Sequence, residues 1–322
     1  MTNPDIQQLS HAARRAVEQQ NWPMVDACAG ELMRRAPDNA EGYFLAGLIQ
    51  KVSQRPARAV EAFEKALSLD ESRYDAAVEL ANQYSIQRRN GDTVAMLERY
   101  ESRLMNSPMY LDLAGTTYCD VGMPQKAWPL YVRANELQEG VDLFQANLAA
   151  CGVYLGKIKE AREIYQKLLA RFPGHRRNHW QLARLEKATD YEHVNQMKAV
   201  LASSHDTPDK NIFMYFAIGK ELEDLGDWDE AFEYYKMGGD AVTSVASYDV
   251  ADDITLIDTI IETCSADWLQ SGSSSETADK TPIFIVGLPR TGTTLTERIV
   301  GSHSQVSSLG ETQFLQMVLR RE

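Results

Sequence analysis

The feature that most constrains this chain is an internal repeat with a period of 34 residues. Small residues recur at this interval, with a two-residue slip before the last of them: Ala13, Gly47, Ala81, Gly115, Ala149, Ala183 and Gly219. A fixed period of this length indicates a stack of similar units, each packed on its neighbours, and not one closed core. We therefore predict a helical repeat array over roughly residues 6–245.

A second marker begins twelve positions after most of these small residues. It consists of a small residue, an aromatic or apolar residue four positions later, and a small or apolar residue three positions after that. The clear cases are Ala59-Phe63-Ala66, Ala127-Tyr131-Ala134, Ala161-Tyr165-Leu168 and Ala231-Tyr235-Gly238, and the weaker ones are Val25-Ala29-Leu32 and Thr93-Leu97-Tyr100. A small residue lets a second helix cross closely, so each period predicts a pair of packed helices.

The period and its markers resemble the tetratricopeptide repeat, in about seven helix-turn-helix units. The sixth unit is irregular in its second helix, Tyr191 to Ala202, and we interpret it as degenerate. The predicted turns between paired helices are Asn90-Gly91, Gly122, Gly156 and Gly226-Asp227. This class of array presents an extended concave surface that usually holds a peptide or a protein segment, so a protein or peptide partner is expected.

One subset of these repeats grips a C-terminal carboxylate through Lys and Asn at fixed positions of the first helices. The equivalent positions around Leu48, Thr116 and Ala150 lack these residue types, and only Asn82 matches. A carboxylate clamp is therefore not expected.

Composition excludes several other classes of function. The formal net charge of −13 argues against nucleic acid and membrane surfaces as partners, because phosphate contacts need clustered Lys and Arg. The N-terminus has no apolar signal-type region and no apolar run approaches the ~20 residues that span a bilayer, so a cytoplasmic protein is expected. The cysteines are scattered, and the pair His175 and His179 has no third ligand nearby, so no metal site is predicted.

The sequence divides into three parts. Residues 1–265 are predicted to be the repeat array with a capping helix, about Tyr248 to Cys264. Residues 266–280, which are rich in Ser and Gly, have the composition of a linker. Residues 281–322 begin a second domain with the apolar, mostly β-branched run Ile283 to Val286, which predicts a buried strand.

Gly287 and Gly292 bracket a turn after this strand, and a helix is predicted to start near Thr293. Glycines let backbone N–H groups fold around an anion, and the helix N-terminus adds positive potential. The P-loop of nucleotide triphosphatases, G-x-x-x-x-G-K-[ST], requires Lys where this chain has Thr293. An NTP-dependent kinase is therefore disfavoured, whereas Arg290 supplies a positive fork for phosphate or sulfate oxygens.

The stretch Gly287 to Thr294 resembles the loop that binds 3′-phosphoadenosine 5′-phosphosulfate (PAPS) in sulfotransferases. It is most similar to tyrosylprotein sulfotransferases and to the bacterial proteins that join tetratricopeptide repeats to a sulfotransferase domain. The resemblance implies a mainly α protein, an α-solenoid of tetratricopeptide helix pairs followed by the start of an α/β, P-loop-like sulfotransferase domain. The donor-binding residues that it implies are Pro289, Arg290, Thr291, Gly292, Thr293 and Thr294.

The reaction implied by this resemblance is transfer of a sulfuryl group from PAPS to a hydroxyl, with protein tyrosine as one candidate acceptor and with no metal. Arg290 would stabilise charge on the donor, and Glu311, in a Gly-Glu pair, would be the catalytic base. A capping or solvated role is the alternative for Glu311. Ser304, Thr312 and Gln313 depart from the family pattern and leave the acceptor open.

Residues 281–322 are too few for a parallel sheet covered on both faces. We therefore expect this polypeptide to be the N-terminal part of an enzyme and an incomplete catalyst. The alternative hypothesis is a non-catalytic interaction scaffold in which the repeat array carries the whole function.

Overall fold

The computed structural model describes residues 4–271, 282–288 and 290–310. These residues divide into two compact units, Met1–Ala246 and Ser247–Glu322. Regular structure in the described residues is helical, and no β-strand forms there. The predicted mainly α solenoid is confirmed in the first unit.

Seven helix pairs build the first unit, one pair for each predicted repeat. The first helices of repeats 1 to 7 are α1 Pro4–Glu18, α3 Ala40–Val52, α5 Tyr74–Ile86, α7 Pro108–Asp120, α9 Asp142–Tyr154, α11 Arg176–Ala183 and α13 Ile212–Leu225. The second helices are α2 Trp22–Arg35, α4 Pro56–Leu69, α6 Asn90–Leu104, α8 Pro124–Leu137, α10 Ile158–Arg171, α12 Glu192–Ser203 and α14 Trp228–Val245. Several helices begin with proline, whose missing N–H costs nothing in the first turn.

The predicted markers lie at the crossing of the paired helices. The small residues of the first helices are buried, and the ring of the second helix packs against them. A Cβ atom added to Gly47 would lie 2.4 Å from Phe63 Cε1, and one added to Gly115 would lie 2.9 Å from Tyr131 Cε1. The paired helices are therefore so close at Gly47 and Gly115 that only glycine, which has no side chain, fits there without a shift of the ring.

The turns inside the helix pairs share one left-handed residue, again spaced by 34. Its φ is positive in repeats 1 to 5, at Gln20, Gln54, Arg88, Gly122 and Gly156. The predicted turns at Gly122 and Gly156 are confirmed. The turn predicted at Asn90-Gly91 is wrong, because Arg88 takes the left-handed position and Asn90 already begins α6.

The sixth repeat departs from the others in its first helix. Helix α11 has 8 residues where the first helices of the other repeats have 13 to 15, and irregular chain over residues 184–191 precedes α12. The second helix, in which we placed the irregularity, is formed. Residue Ala199 stands where Phe63 and Tyr131 stand in their repeats, and it is exposed. Helix α12 packs through Val194 and Met197, so its buried face differs from that of the second helices that carry a ring.

Two histidines and a glutamate form a chain of hydrogen bonds in this repeat. His179 Nε2 lies 2.7 Å from the Pro173 carbonyl oxygen and Nδ1 lies 2.8 Å from His193 Nε2. His193 Nδ1 lies 2.7 Å from Glu221 Oε1. Burial lowers the pKa of His179 to about 4, so its ring is neutral at pH 7. Because a carbonyl only accepts, the single proton of His179 is on Nε2 and its Nδ1 accepts from His193.

His175, which we considered as a metal-ligand partner of His179, has a different role. Its Nδ1 accepts the Asn178 N–H at 3.3 Å and caps helix α11. Within the described ranges, no group of three or more His, Cys, Asp or Glu residues has the geometry to hold a metal ion. No helix in these ranges is long and apolar enough to cross a bilayer.

The second unit contains α15 Val250–Thr263, α16 Ala266–Ser271 and α17 Thr293–Val300. The helix predicted at about Tyr248 to Cys264 is confirmed as α15, and Asp249 caps it by accepting the Ala251 N–H at 2.9 Å. The structure differs at Ile283 to Val286, where we predicted a strand. Residues 282–288 are irregular, because the described part of the chain offers no neighbouring strand to pair with. The division into residues 1–265, 266–280 and 281–322 stays a prediction.

We expect Gly47→Ala to lower the free energy of unfolding by about 1–3 kcal/mol, because the added methyl group overlaps the fully buried Phe63 ring. Gly30→Ala is the matched control, since no atom lies within 4 Å of an added Cβ there and alanine favours a helix. Urea denaturation of both variants measures the difference. Equal stabilities would contradict the close crossing.

The neutral, buried His179 makes stability depend on pH. Its folded pKa of about 4 lies below the ordinary value near 6.5, so the unfolded chain binds more protons between these values. Stability therefore falls as the pH drops from 6.5 to 4, by roughly 1–3 kcal/mol from this group. The difference in unfolding free energy between wild type and His179→Gln should change across this range as wild type loses stability, and the exposed His11→Gln control should follow wild type. A constant difference between wild type and His179→Gln would disprove it.

Candidate anion-binding site

The segment that follows residue 282 folds back on itself at Gly287. Thr291 donates its backbone N–H to the Leu288 carbonyl oxygen at 3.3 Å and its hydroxyl to the same oxygen at 2.7 Å. A Cβ atom at Gly287 would lie 2.8 Å from Thr291 Oγ1 and 3.1 Å from Thr293 Cγ2. Only glycine therefore fits at Gly287 without a shift of the loop.

Two residues of the loop adopt left-handed backbone conformations. Arg290 has φ +68° and Gly292, the residue before helix α17, has φ +96°. Glycine takes this region freely, whereas a residue with a side chain is uncommon there. Alternating conformations of this kind turn successive N–H groups toward one side, which is how a backbone nest for an anion forms.

Helix α17 begins with backbone N–H groups that have no acceptor. The first amide bonded within the helix is that of Thr296, which donates to the Gly292 carbonyl oxygen at 3.0 Å. The amides of Thr293, Thr294 and Leu295 have no acceptor within the described residues. Unbonded amides and the positive end of the helix dipole together suit a tetrahedral anion.

Arg290 brings a full positive charge to this loop. Its side chain is exposed, and it forms no hydrogen bond or ion pair with any residue that the structure describes. The Thr294 side chain is exposed and that of Thr293 is half-buried, while the Thr291 hydroxyl proton is used inside the loop. The guanidinium and two threonine hydroxyls are thus available to a ligand.

The chain after α17 is held to the helix by polar contacts. Glu297 accepts a hydrogen bond from the Ser308 hydroxyl, and Ser308 Oγ accepts the Gly310 N–H at 3.1 Å. His303 Nδ1 accepts the Gln305 N–H at 3.2 Å, a local structural role. Sequence reasoning missed the Glu297–Ser308 contact, since a spacing of 11 residues belongs to no helical pattern.

Two of the predicted site residues, Pro289 and Glu311, lie outside the described residues. Arg290, Thr291, Gly292, Thr293 and Thr294 lie in one turn and the start of α17, and their role in donor binding stays a prediction. The left-handed backbone of Arg290 was not predicted. The one feature of the sequence that bears on this conformation is the position of Arg290 between Gly287 and Gly292, which bracket the turn.

The first helices of the array form a second polar surface. Glu41 accepts from Arg14 at 2.8 Å and from Arg73 at 2.6 Å, and Arg73 also binds Asp75 through two hydrogen bonds. Lys51 Nζ lies 2.6 Å from Glu79 Oε2. These ion pairs link the first helices of repeats 1 to 3 and satisfy their own charges.

Further along this surface the polar contacts become sparse. Asn82, the one match to a carboxylate clamp, is buried and donates to Thr117 Oγ1 at 3.3 Å. Asn147 donates to both carboxylate oxygens of Asp112, and burial raises the pKa of Asp112 to about 6. Met109 and Leu143, at equivalent positions of repeats 4 and 5, are exposed. This part of the surface combines amide groups with apolar side chains.

Comparison with known families matches both units. A family described as "Sulfotransferase family" matches residues 282–322, and two described as "Tetratricopeptide repeat" match residues 40–73 and 147–175. The chain therefore has segments similar to tetratricopeptide repeats and one segment similar to the sulfotransferase family. The turn formed by Gly287 and residues 290–294, called the cradle from here on, lies within the segment that matches the sulfotransferase family.

An uncharacterized protein of Aquifex aeolicus (strain VF5) is 30% identical over 194 residues. The match covers 58% of this chain and 25% of the relative, so the chain spans about a quarter of the relative's length.

Solved structures with similar folds are tetratricopeptide proteins. YrrB, described as a TPR protein with an unusual peptide-binding site, is 19% identical with a TM-score of 0.44, covering 65% of this chain and 97% of YrrB. A tetratricopeptide repeat protein from Parabacteroides merdae ATCC 43184 is 16% identical with a TM-score of 0.49, covering 78% of this chain and 97% of its own.

We expect Gly287→Ala to abolish binding of inorganic sulfate at the start of α17, because the methyl group displaces Thr291 and Thr293 from the turn. NMR of the Thr293 and Thr294 amides during a sulfate titration measures this. Gly239→Ala, where no atom lies within 4 Å of an added Cβ, is the control. If the Thr293 and Thr294 amide signals of the wild-type protein do not shift during the titration, the proposed anion site is wrong.

Proposed function

We propose that the protein is a cytoplasmic, PAPS-dependent sulfotransferase that transfers a sulfuryl group to a hydroxyl acceptor. The observation that carries the proposal is the turn in which Arg290 stands beside the unbonded amides of Thr293 and Thr294, within the sulfotransferase-family segment. A phosphosulfate presents tetrahedral anionic oxygens, the group that such a turn binds best.

In this mechanism the cradle amides hold the 5′-phosphate end of the donor. Arg290 stabilises the negative charge that grows on the bridging oxygen as the bond from sulfur to that oxygen breaks. The acceptor oxygen attacks sulfur in line, and 3′-phosphoadenosine 5′-phosphate leaves. Thr293 and Thr294 donate hydroxyl hydrogen bonds to the donor oxygens.

The acceptor must lose its proton during transfer. We propose Glu311 as the base, and tyrosine of a protein as the acceptor that best explains the repeats in the same chain. A phenol with a pKa of about 10 is barely ionised at neutral pH, so a carboxylate within hydrogen-bond reach accelerates the attack. In this proposal the sulfuryl acceptor belongs to a protein or peptide that the first helices of the array hold, with Met109 and Leu143 as apolar contacts.

The rival proposal is an interaction scaffold whose only function is to bind a partner through the array. It predicts that residues 1–265 bind the partner as tightly as the whole chain does, with no contribution from the cradle. The exposed apolar residues Met109 and Leu143 serve both proposals equally. Donor binding that depends on Arg290 distinguishes them.

We expect Arg290→Ala to weaken binding of 3′-phosphoadenosine 5′-phosphate at least 10-fold, because a charge-assisted contact to the phosphate is lost. Isothermal titration calorimetry measures the affinity. Arg298→Ala, which removes an exposed arginine from the last turn of α17, is the control and should bind as wild type. Equal affinities of wild type and Arg290→Ala would reject the proposed site.

A further inference from the structure

The degenerate sixth repeat opens a pocket of about 780 Å³ on the array. Its walls come from α10, α11, the irregular residues 184–191 and α12, with Glu221 contributed by α13. Ala199, at the position that holds an aromatic ring in neighbouring repeats, lines this pocket and is exposed. The short helix α11 and the missing ring together leave the space unfilled.

Glu221 is the residue that indicates which chemical group the pocket binds. Its side chain is 7% exposed, Oε1 lies 2.7 Å from His193 Nδ1, and Oε2 is buried with no hydrogen-bond partner in the described structure. A buried carboxylate oxygen without a donor costs free energy, and native structures rarely leave one unpaired. The site is therefore short of one hydrogen-bond donor beside Glu221.

The histidine chain fixes this carboxylate in place. Because His179 donates to the Pro173 carbonyl and accepts from His193 Nε2, the ring of His193 is held with Nδ1 toward Glu221. Neither ring nitrogen of His179 is free for a ligand. The two histidines orient Glu221, and Oε2 is the atom left for recognition.

The charge around the pocket favours a cation. Four acidic side chains line it against two basic ones and the ring of His193, and the pair of Arg162 with Glu186 at 2.6 Å removes one charge of each sign. Asp190 and Glu192 form no ion pair within the described residues. Apolar side chains, among them Leu182 and Val200, cover the rest of the wall.

We infer that this pocket binds a primary ammonium group on an aliphatic stem, with its N–H groups donating to Glu221 Oε2 and its methylenes against the apolar wall. The chemistry has two sources, a free diamine and the lysine side chain of a peptide. The inference goes beyond the proposed sulfotransferase activity, because the pocket lies in the first unit and requires nothing of the cradle.

The test titrates the full chain with cadaverine and, separately, with a short lysine peptide blocked at both ends, by isothermal titration calorimetry. We expect saturable binding of one or both ligands, and the stronger of the two identifies the source. Tetraethylammonium carries the charge but no N–H donor, so it should not compete. Absence of binding by both cadaverine and the peptide would overturn the inference.

Two variants make the test specific. Glu221→Gln should weaken binding at least 10-fold, while its amide oxygen still accepts from His193; Glu223→Gln, on the same helix and outside the pocket lining, should bind as wild type. Ala199→Trp fills the pocket from an exposed position and should abolish binding with the carboxylate intact. Undiminished affinity in Glu221→Gln or in Ala199→Trp would refute the assignment.

Discussion

The close crossing of paired helices is the constraint on which the array depends. A small residue on each first helix admits the side chain from the second, as Gly47 admits Phe63 and Gly219 admits Tyr235. Packing at this distance fixes the spacing of the pairs, and each repeat then buries its remaining apolar face on the next. The surfaces that could bind partners are set by this spacing, because the side chains that line them are attached to the same helices.

Where this crossing is incomplete, the structure changes in a defined way. Repeat 6 has Ala183 at the small position and Ala199 at the position of the ring, and α12 packs through the buried side chains of Val194 and Met197 instead. A polar cluster takes over part of the contact, with His179, His193 and Glu221 bonded in series. Repeat 6 thus combines an apolar contact with a chain of hydrogen bonds and, beside them, an open pocket.

Most of the array could be predicted from the sequence, because burial and helix pairing both follow a period that small residues mark. The turn at Arg88 could not, since the left-handed position is fixed by the register of the helices and arginine has no preference for that conformation. The short α11 was also missed, because its residues have ordinary helix propensity. In the cradle, the motif predicted which residues meet in the turn. It did not predict that the Thr291 hydroxyl donates a hydrogen bond to the Leu288 carbonyl oxygen, because this contact depends on the local geometry of the turn.

The two candidate sites use opposite electrostatics within a chain of formal charge −13. The cradle concentrates backbone N–H groups and Arg290 on one turn, which makes a local positive site in an acidic protein. The pocket of repeat 6 has an excess of carboxylates and fits the overall charge. An anionic donor and a cationic side chain would therefore be attracted to different units, and neither would compete for the other's site.

The short sixth repeat also has a consequence for how the array unfolds. The apolar core of the described array is divided into four clusters, one of which, from Ala183 to Ala231, lies across repeats 6 and 7. Leu182 and Leu185 of repeat 6 pack instead against the cluster of repeat 5. In a linear stack, cooperativity passes only through the interfaces between neighbours. Local opening is expected to begin at the boundaries between clusters, so the cluster shared by repeats 6 and 7 is expected to open as one unit. Under force or mild denaturant, we therefore expect the array to unfold in more than one step.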